Sequence, residues 1–243
     1  MPRFQNLAAH EVQEKAADDL VTIANKESEI RREEGLLAIL KDSSAVGEEG
    51  CAADPSLQDR IGDGAVWIVD PIDGTGNFAA GRAPFGLMIA LAVDGETKAG
   101  WMFDPLGDRM CHARAGEGAF IDGTRVAARG SGEAIPVAGL SLVFMDPAKR
   151  QSTKDSAQGH LTMVDIPRCA AEQYPRIVLG VNEMALFERT LPWDHAPGVR
   201  FVTEAGGTAL RADGSPYRVT DRGTGLLAAA SPALWERGAK VLF

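Results

Sequence analysis

A layered α/β (α+β) fold is what this sequence predicts, on three observations. Helical patterning stands at both ends of the chain, short apolar segments broken by turn residues fill the middle, and strand-like and helix-like segments alternate from about Ser141 onward. Taking the elements in order, the first ~40 residues are expected to be helical. Leu7, Val12, Ala16, Leu20 and Ile23, then Ile30, Leu36, Leu37 and Leu40, recur near helical spacing among many charges. The small residues of "DSSAVGEEG" end that section. The segments "AVWIVD", "GLMIALAV", "TKAGWMFDP" and "DRMCHARA" follow, with Asp94-Gly95 and Pro105-Leu106-Gly107 as turns, and predict an antiparallel strand meander.

Beyond it "LSLVFM", "EMALFER" and "TGLLAAAS" read as strands. "CAAEQYPRIVLG", "PWDHAPGVRFVTEAGG" and "PALWERGAKVL" read as helices, the second ending at Gly206 and the last opening on Pro232. The loop-like "RGSGEAIPVAG" sets a soft boundary. Residues 1–135 are expected to form an N-terminal α+β half and residues 136–243 a C-terminal α/β half of one compact catalytic unit.

Bulk composition narrows the function classes. At 243 residues, 45% apolar and 24% charged, the chain suits one large or two small globular domains. A net charge of −9 argues against nucleic acid or an anionic membrane as partner and is compatible with bound cations. Cys51, Cys111 and Cys169 have neither disulfide-framework nor zinc spacing. The N-terminus lacks the order of a signal peptide, and the apolar run "LMIALAV" is too short to span a bilayer, so a reducing cytoplasm is the expected compartment.

The chemistry concentrates in "AVWIVDPIDGTGNFAAGRAPFG", from Ala65 to Gly86. Asp70 ends an apolar strand and Asp73 follows around a turn. Two carboxylates so placed repel each other and resist burial unless something neutralises them. A hard divalent cation such as Mg²⁺ wants an oxygen-only set of this kind. Gly74 to Gly76 lets backbone N–H groups face an anion, and Thr75 adds a hydroxyl.

"WIVDPIDGTGNF" resembles the signature of the inositol monophosphatase family of Mg²⁺-dependent, Li⁺-sensitive phosphatases, W-I-(I/V)-D-P-(I/L)-D-G-T-x-N-F. "GEE" at Gly47–Glu49 resembles the family's upstream acidic motif. "PWDHAPGVRFVTEAGG" is similar to its C-terminal block, "GEGAFIDG" to a further turn, and "DDLVT" to an N-terminal one. The resemblance implies an α-β-α-β-α sandwich of the sugar-phosphatase type and about two to three Mg²⁺ ions per site. It implies Glu48, Asp70 and the Ile72 carbonyl around one ion, Asp70, Asp73 and Asp194 around a second, and a weaker third ion near Glu48. Gly74 and Thr75 N–H groups would receive phosphate. Ile72, Asp73, Gly74, Thr75 and Asp194 thus become the implied substrate-binding residues, and Glu48, Thr75 and Asn25 the catalytic group. A phosphomonoester's negative charge must be neutralised before water can attack it, which the cations accomplish without a covalent phosphoenzyme. The implied substrate is a small phosphorylated polyol or related metabolite, with inositol phosphate, fructose 1,6-bisphosphate, histidinol phosphate and 3′-phosphoadenosine 5′-phosphate as candidates. A homodimer is a further implied habit.

The chain departs from the family pattern at three places. Asn25 stands where an Asp usually hydrogen-bonds the signature threonine, and an amide cannot accept a proton. Cys169-Ala170 replaces a Gly-Ser-small run facing the polyol. Phe187 or Glu188 falls where an acid often contacts inositol. Other readings are a haloacid-dehalogenase-type phosphatase, for which the Asp70–Asp73 spacing is wrong, and a dinucleotide site at "GTGNFA" with Asp94, whose context fails at Gly81 and Pro84. A metal-binding regulatory protein without turnover, with Asn25 as its clue, is the third. His195, Cys111-His112 and Trp67, Trp101, Trp193 and Trp235 are expected to serve packing.

Overall fold

A computed structural model describes residues 3–8, 11–16 and 19–243. Its first element corrects the expectation of a long N-terminal helix. Val12–Ala16 (β1) and Asp19–Thr22 (β2) pair antiparallel, with Val12 opposite Thr22 and Gln13 opposite Val21, and the helix α1 spans only Ile23–Ile39. Thr22 and Asn25 form a capping box that fixes where α1 starts. The periodicity misled because α1 is inverted: it buries Asn25 and Glu29 while Ile30 and Ile39 stay 59% and 76% exposed. Polar residues face inward here because a site lies beneath them. Asp18, the first residue of "DDLVT", lies outside the described residues.

The central meander is present and extended. Ser44–Gly47 (β3), Ala65–Asp73 (β4), Gly86–Val93 (β5), Glu96–Asp104 (β6), Arg109–Arg114 (β7), Gly118–Ile121 (β8) and Thr124–Val126 (β9) form a seven-stranded sheet in chain order. Every pairing is antiparallel except that of β3 with β4. Asp94-Gly95 turns β5 into β6 with both residues at positive φ, 51° and 77°. Between β3 and β4 lie the short helix α2 (Glu48–Ala53) and a 3₁₀ stretch, Pro55–Gly62. The helix α3 (Thr75–Ala79) follows β4 directly.

A second sheet is mixed. Its order is β11 (Thr162–Val164), β10 (Val137–Ser141), β12 (Met184–Phe187), β14 (Leu226–Ala229), β13 (Thr208–Arg211). The strand expected at Leu140–Met145 begins earlier and stops at Ser141, after which Met145 N–H closes a turn on the Leu142 carbonyl. Parallel pairing on both sides, with β11 and β12, defines β10 in spite of Gly139 in its middle. Pro147–Ala157 (α4) was not foreseen, although Asp146 caps it through Ala148 and Lys149 N–H. Ala170–Val178 (α5), Pro192–Glu204 (α6) and Pro232–Leu242 (α7) match the expected helices.

These elements stack as α-β-α-β-α. α1 covers β3 and β4, while α5 and α6 lie between the two sheets. α7, with α4 beside it, closes the far face of the second sheet. The main core fills the middle layer, where Met88, Met102, Tyr174, Ile177, Phe201 and Leu226 are almost fully buried. β4 is covered on both faces, which explains its continuous apolar run in place of an alternating one. Cys51, Cys111 and Cys169 are buried free thiols, and among the described residues no helix is long and apolar enough to cross a membrane.

Candidate active site

The site begins where β4 runs out. Alternation along a regular strand would send Asp70 and Asp73 to opposite faces. The ladder to β5 shifts between them, with Asp70 opposite Met88 and Asp73 opposite Gly86, and this irregularity aims both carboxylates into one cavity. Gly74 then takes φ +80°, and a Cβ on it would stand 3.1 Å from the Pro84 carbonyl oxygen. Only glycine suits that position. Its carbonyl accepts the N–H groups of Asn77 and Phe78, starting α3.

Thr75 sits at the head of α3 and donates its hydroxyl proton to the Ile72 carbonyl at 2.9 Å. Asn25 reaches it from α1. Thr22 N–H and the Thr22 hydroxyl donate to Asn25 Oδ1 at 3.1 and 2.7 Å, so Nδ2 points to Thr75 Oγ1 at 3.2 Å. The backbone donor fixes the amide's orientation, and Asn25 donates to the threonine. An aspartate would accept from it, so the polarity of this link is reversed.

Glu48, the first residue of α2, also lines the cavity. Its placement depends on Glu29, which sequence reasoning missed. The buried Glu29 carboxylate accepts Glu49 N–H at 2.8 Å and Gly50 N–H at 2.7 Å. A Cβ on Gly47 would fall 2.1 Å from that carboxyl carbon, so a glycine is required there. Burial pushes the Glu29 carboxyl up to about 7, opposed by those two hydrogen bonds. One turn along α1 from Asn25 on its inward face, Glu29 could have been found had the polar face been taken as the buried one.

The other wall comes from α5, α6 and β12. Asp194, in the first turn of α6, and Cys169, Ala170 and Phe187 all line the cavity. Cys169 donates its thiol to Asp73 Oδ2 at 3.1 Å and Ala171 N–H donates to the same oxygen at 2.6 Å, so the thiol serves Asp73 and not the cavity's far end. Of the two residues offered for the acidic position, Phe187 faces the cavity, while Glu188 turns to Lys149 Nζ at 2.7 and 2.8 Å. His195 donates from Nε2 to the Arg189 carbonyl at 2.9 Å and accepts the Tyr174 hydroxyl on Nδ1 at 2.7 Å. Burial lowers it to about 3, so it is a neutral residue packed into the cavity wall beside Asp194. His112 stacks on Phe120 and Cys111 lies in the core, as expected of them. Trp67 packs near Trp101 and Trp193 is buried in a core cluster, while Trp235 donates to the Leu227 carbonyl. Asn77, not singled out from sequence, donates to the Pro84 and Pro167 carbonyls at 2.7 and 2.9 Å and ties α3 to the loop before α5.

Glu48, Asp70, Asp73 and Asp194 therefore meet at one cavity of about 500 Å³. Burial drives Asp70 well above the usual carboxylate range, and the charges of Glu48, Asp73 and Asp194 push it further the same way. Asp73 rises to about 6 through burial, against the Ala171 and Cys169 hydrogen bonds. Among the described residues no three His, Cys, Asp or Glu side chains stand close enough together to cage an ion unaided. The fit to a cation is electrostatic and chemical: an all-oxygen donor set whose members destabilise one another's charges until a positive ion enters. The dinucleotide alternative fails on topology, since β4 is followed by a five-residue helix and an antiparallel strand, and Asp94 lies in the β5–β6 turn.

Similarity to known proteins extends over nearly the whole chain. The inositol monophosphatase family profile matches residues 1–242. The chain is 30% identical over 205 residues to inositol-1-monophosphatase of Bacillus subtilis, covering 82% of this chain and 75% of that protein. It is 27% identical over 224 residues to the fructose-1,6-bisphosphatase/inositol-1-monophosphatase of Aquifex aeolicus, covering 90% and 81%. In three dimensions it resembles the Thermotoga maritima IMPase, with a TM-score of 0.83 at 23% identity over 100% of this chain and 90% of that one.

Proposed function

Since the chain belongs to the inositol monophosphatase family, we propose that it hydrolyses a small phosphorylated metabolite with Mg²⁺ as cofactor. The observation that carries this reading is the convergence of Glu48, Asp70, Asp73 and Asp194 on one cavity beside a glycine turn. Glu48, Asp70, Asp73, Asp194 and the Ile72 carbonyl would hold about two to three ions, which when bound neutralise the ester's charge and acidify water. Gly74 and Thr75 N–H groups receive phosphate oxygens at the head of α3. Thr75, its own proton committed to Ile72, offers a lone pair that orients the attacking water. Asn25 holds that hydroxyl in place and cannot take a proton onward, so Glu48 acts as the general base. Asp73 and Asp194 stand on the leaving-group side.

Phe187 in place of an acid favours substrates other than myo-inositol phosphate. Free buried thiols support a reducing, cytoplasmic compartment. A homodimer and inhibition by Li⁺ complete the reading. The test is phosphate release in Mg²⁺ from inositol 1-phosphate, fructose 1,6-bisphosphate, histidinol phosphate, 3′-phosphoadenosine 5′-phosphate and p-nitrophenyl phosphate, with EDTA and Li⁺ arms. Release from at least one ester, lost in EDTA, is expected. Mg²⁺ binding without release from any would favour a regulatory protein.

A further inference from the structure

One wall of the cavity holds a polar group that the hydrolytic step leaves unused. Gln173, on α5, lines the cavity, is 4% exposed, and its Nε2 has no hydrogen-bond partner. Leaving a buried amide donor unpaired is destabilising, and a ligand oxygen would satisfy it. The chain around it is already committed. Glu172 accepts from Arg109 and Arg176, Ala171 N–H holds Asp73, and the backbone N–H of Gln173 donates to the Cys169 carbonyl at 3.0 Å.

The sheet beside α5 supplies an independent observation. β10 is paired on both sides, with Val164 and Ala185 flanking Gly139, and a glycine inside such a strand weakens it. What Gly139 provides is room. A Cβ there would stand 2.8 Å from Gln173 Nε2 and 3.3 Å from its Oε1, so the carboxamide fills the place of a β10 side chain. Ser141 and Phe187 face each other across β10 and β12, two residues further on, and line the same cavity. None of these groups is charged. The Cys169 thiol is turned to Asp73, so the start of α5 offers no hydroxyl to a leaving group. Gln173 stands one turn further along that helix.

We propose that Gln173, in the room left by Gly139, selects the leaving group by hydrogen bonding a neutral hydroxyl on its skeleton. An amide both donates and accepts, as a hydroxyl does. A charged substituent would find no counter-charge on Gly139, Ser141 or Phe187 to offset its burial. Gln173 is thus a specificity-determining residue. This rests on the phosphatase reading above and adds the group that recognises the alcohol.

Two pairs of probes share a skeleton and differ only in hydroxyls: inositol 1-phosphate with cyclohexyl phosphate, and sorbitol 6-phosphate with hexyl phosphate. In Mg²⁺ the hydroxylated member of at least one pair should be preferred by about tenfold or more in kcat/KM. Gln173→Leu, which keeps the size and removes both polar atoms, should cut that ratio about tenfold, through KM and not kcat. Gly139→Ala should cut it as well, because the new Cβ displaces an amide that is still present. Gln173→Leu should also hold or raise the melting temperature, by up to about 2–4 °C, since it removes an unpaired donor. A structural amide would lose stability on the same change. Calorimetry in EDTA gives a readout apart from turnover: the hydroxylated ester of the preferred pair should bind the parent more tightly, and Gln173→Leu should erase the difference. Hydrolysis with no preference in either pair, a preference untouched by the two variants, or a clear fall in melting temperature in Gln173→Leu overturns the role of Gln173 and leaves the phosphatase reading standing. No hydrolysis of any ester sinks the phosphatase reading. Equal binding within both pairs in calorimetry overturns the hydroxyl subsite on its own, whether or not any ester is turned over.

Discussion

The inner end of the cavity is built around one contiguous stretch, Asp70 to Thr75, whose carboxylates are buried and whose backbone is fixed by Gly74 and by the Thr75–Ile72 bond, with Glu48 and Asp194 brought to it by α2 and α6. The mouth is assembled from scattered loops, with Phe144 after β10, Arg168 before α5 and Arg189 after β12, and both Phe144 and Arg168 are exposed. The first end has little freedom to vary without losing its geometry. The second can exchange side chains without disturbing the sheets. On the proposed function, chemistry would be fixed where the backbone is constrained, and much of substrate choice would reside where it is not.

That contrast can be broken most severely at the inner end. Asp73→Asn should lower Mg²⁺-dependent phosphate release by about a thousandfold or more while the far-UV circular dichroism stays native. Retained turnover would remove Asp73 from the chemistry. Gly74→Ala should cost about 1–2 kcal/mol in urea unfolding, because φ +80° is strained for alanine and the Pro84 oxygen is 3.1 Å away, with activity falling about tenfold or more. Stability equal to the parent would show that the turn relaxes freely. Asn25→Asp should keep or raise kcat, by up to about tenfold, since it restores an acceptor beside Thr75; a large loss would refute the relay.

A further effect concerns pH. The Glu29 carboxyl lies at about 7 when folded, above its ordinary 4.5, so folding favours its protonated form. Its contribution is complete below the unfolded pKa and is lost as pH rises through about 7. Between pH 5 and 7 the parent should therefore lose stability relative to Glu29→Gln by on the order of 1 kcal/mol per pH unit, read from urea midpoints. Parallel curves would mean that Glu29 does not titrate in this window.

Legibility in the sequence followed the same division. The carboxylate-glycine signature is contiguous, so Asp70, Asp73, Gly74 and Thr75 could be read directly, and Glu48 and Asp194 by resemblance. Phe187 could not be separated from Glu188, because all four residues of β12 are buried and no alternation marks a facing side. The role of Cys169 depends on a partner 96 residues away, which no local pattern reveals. The inward face of α1 was missed for a physical reason. Apolar spacing predicts the buried face of a helix only when the core beneath is apolar, and under α1 lies a polar site served by Asn25 and Glu29.

The thiol and amide hydrogens that Cys169 and Ala171 lend to Asp73 have one more consequence. They reach from the start of α5 to the tip of β4, so Asp73 is fully solvated by protein only after residues on both sides of that long separation have come together. A chain ending before Cys169 would leave this carboxylate without those donors. The environment of Asp73 is therefore a property of the completed molecule, shared between two distant parts of the chain.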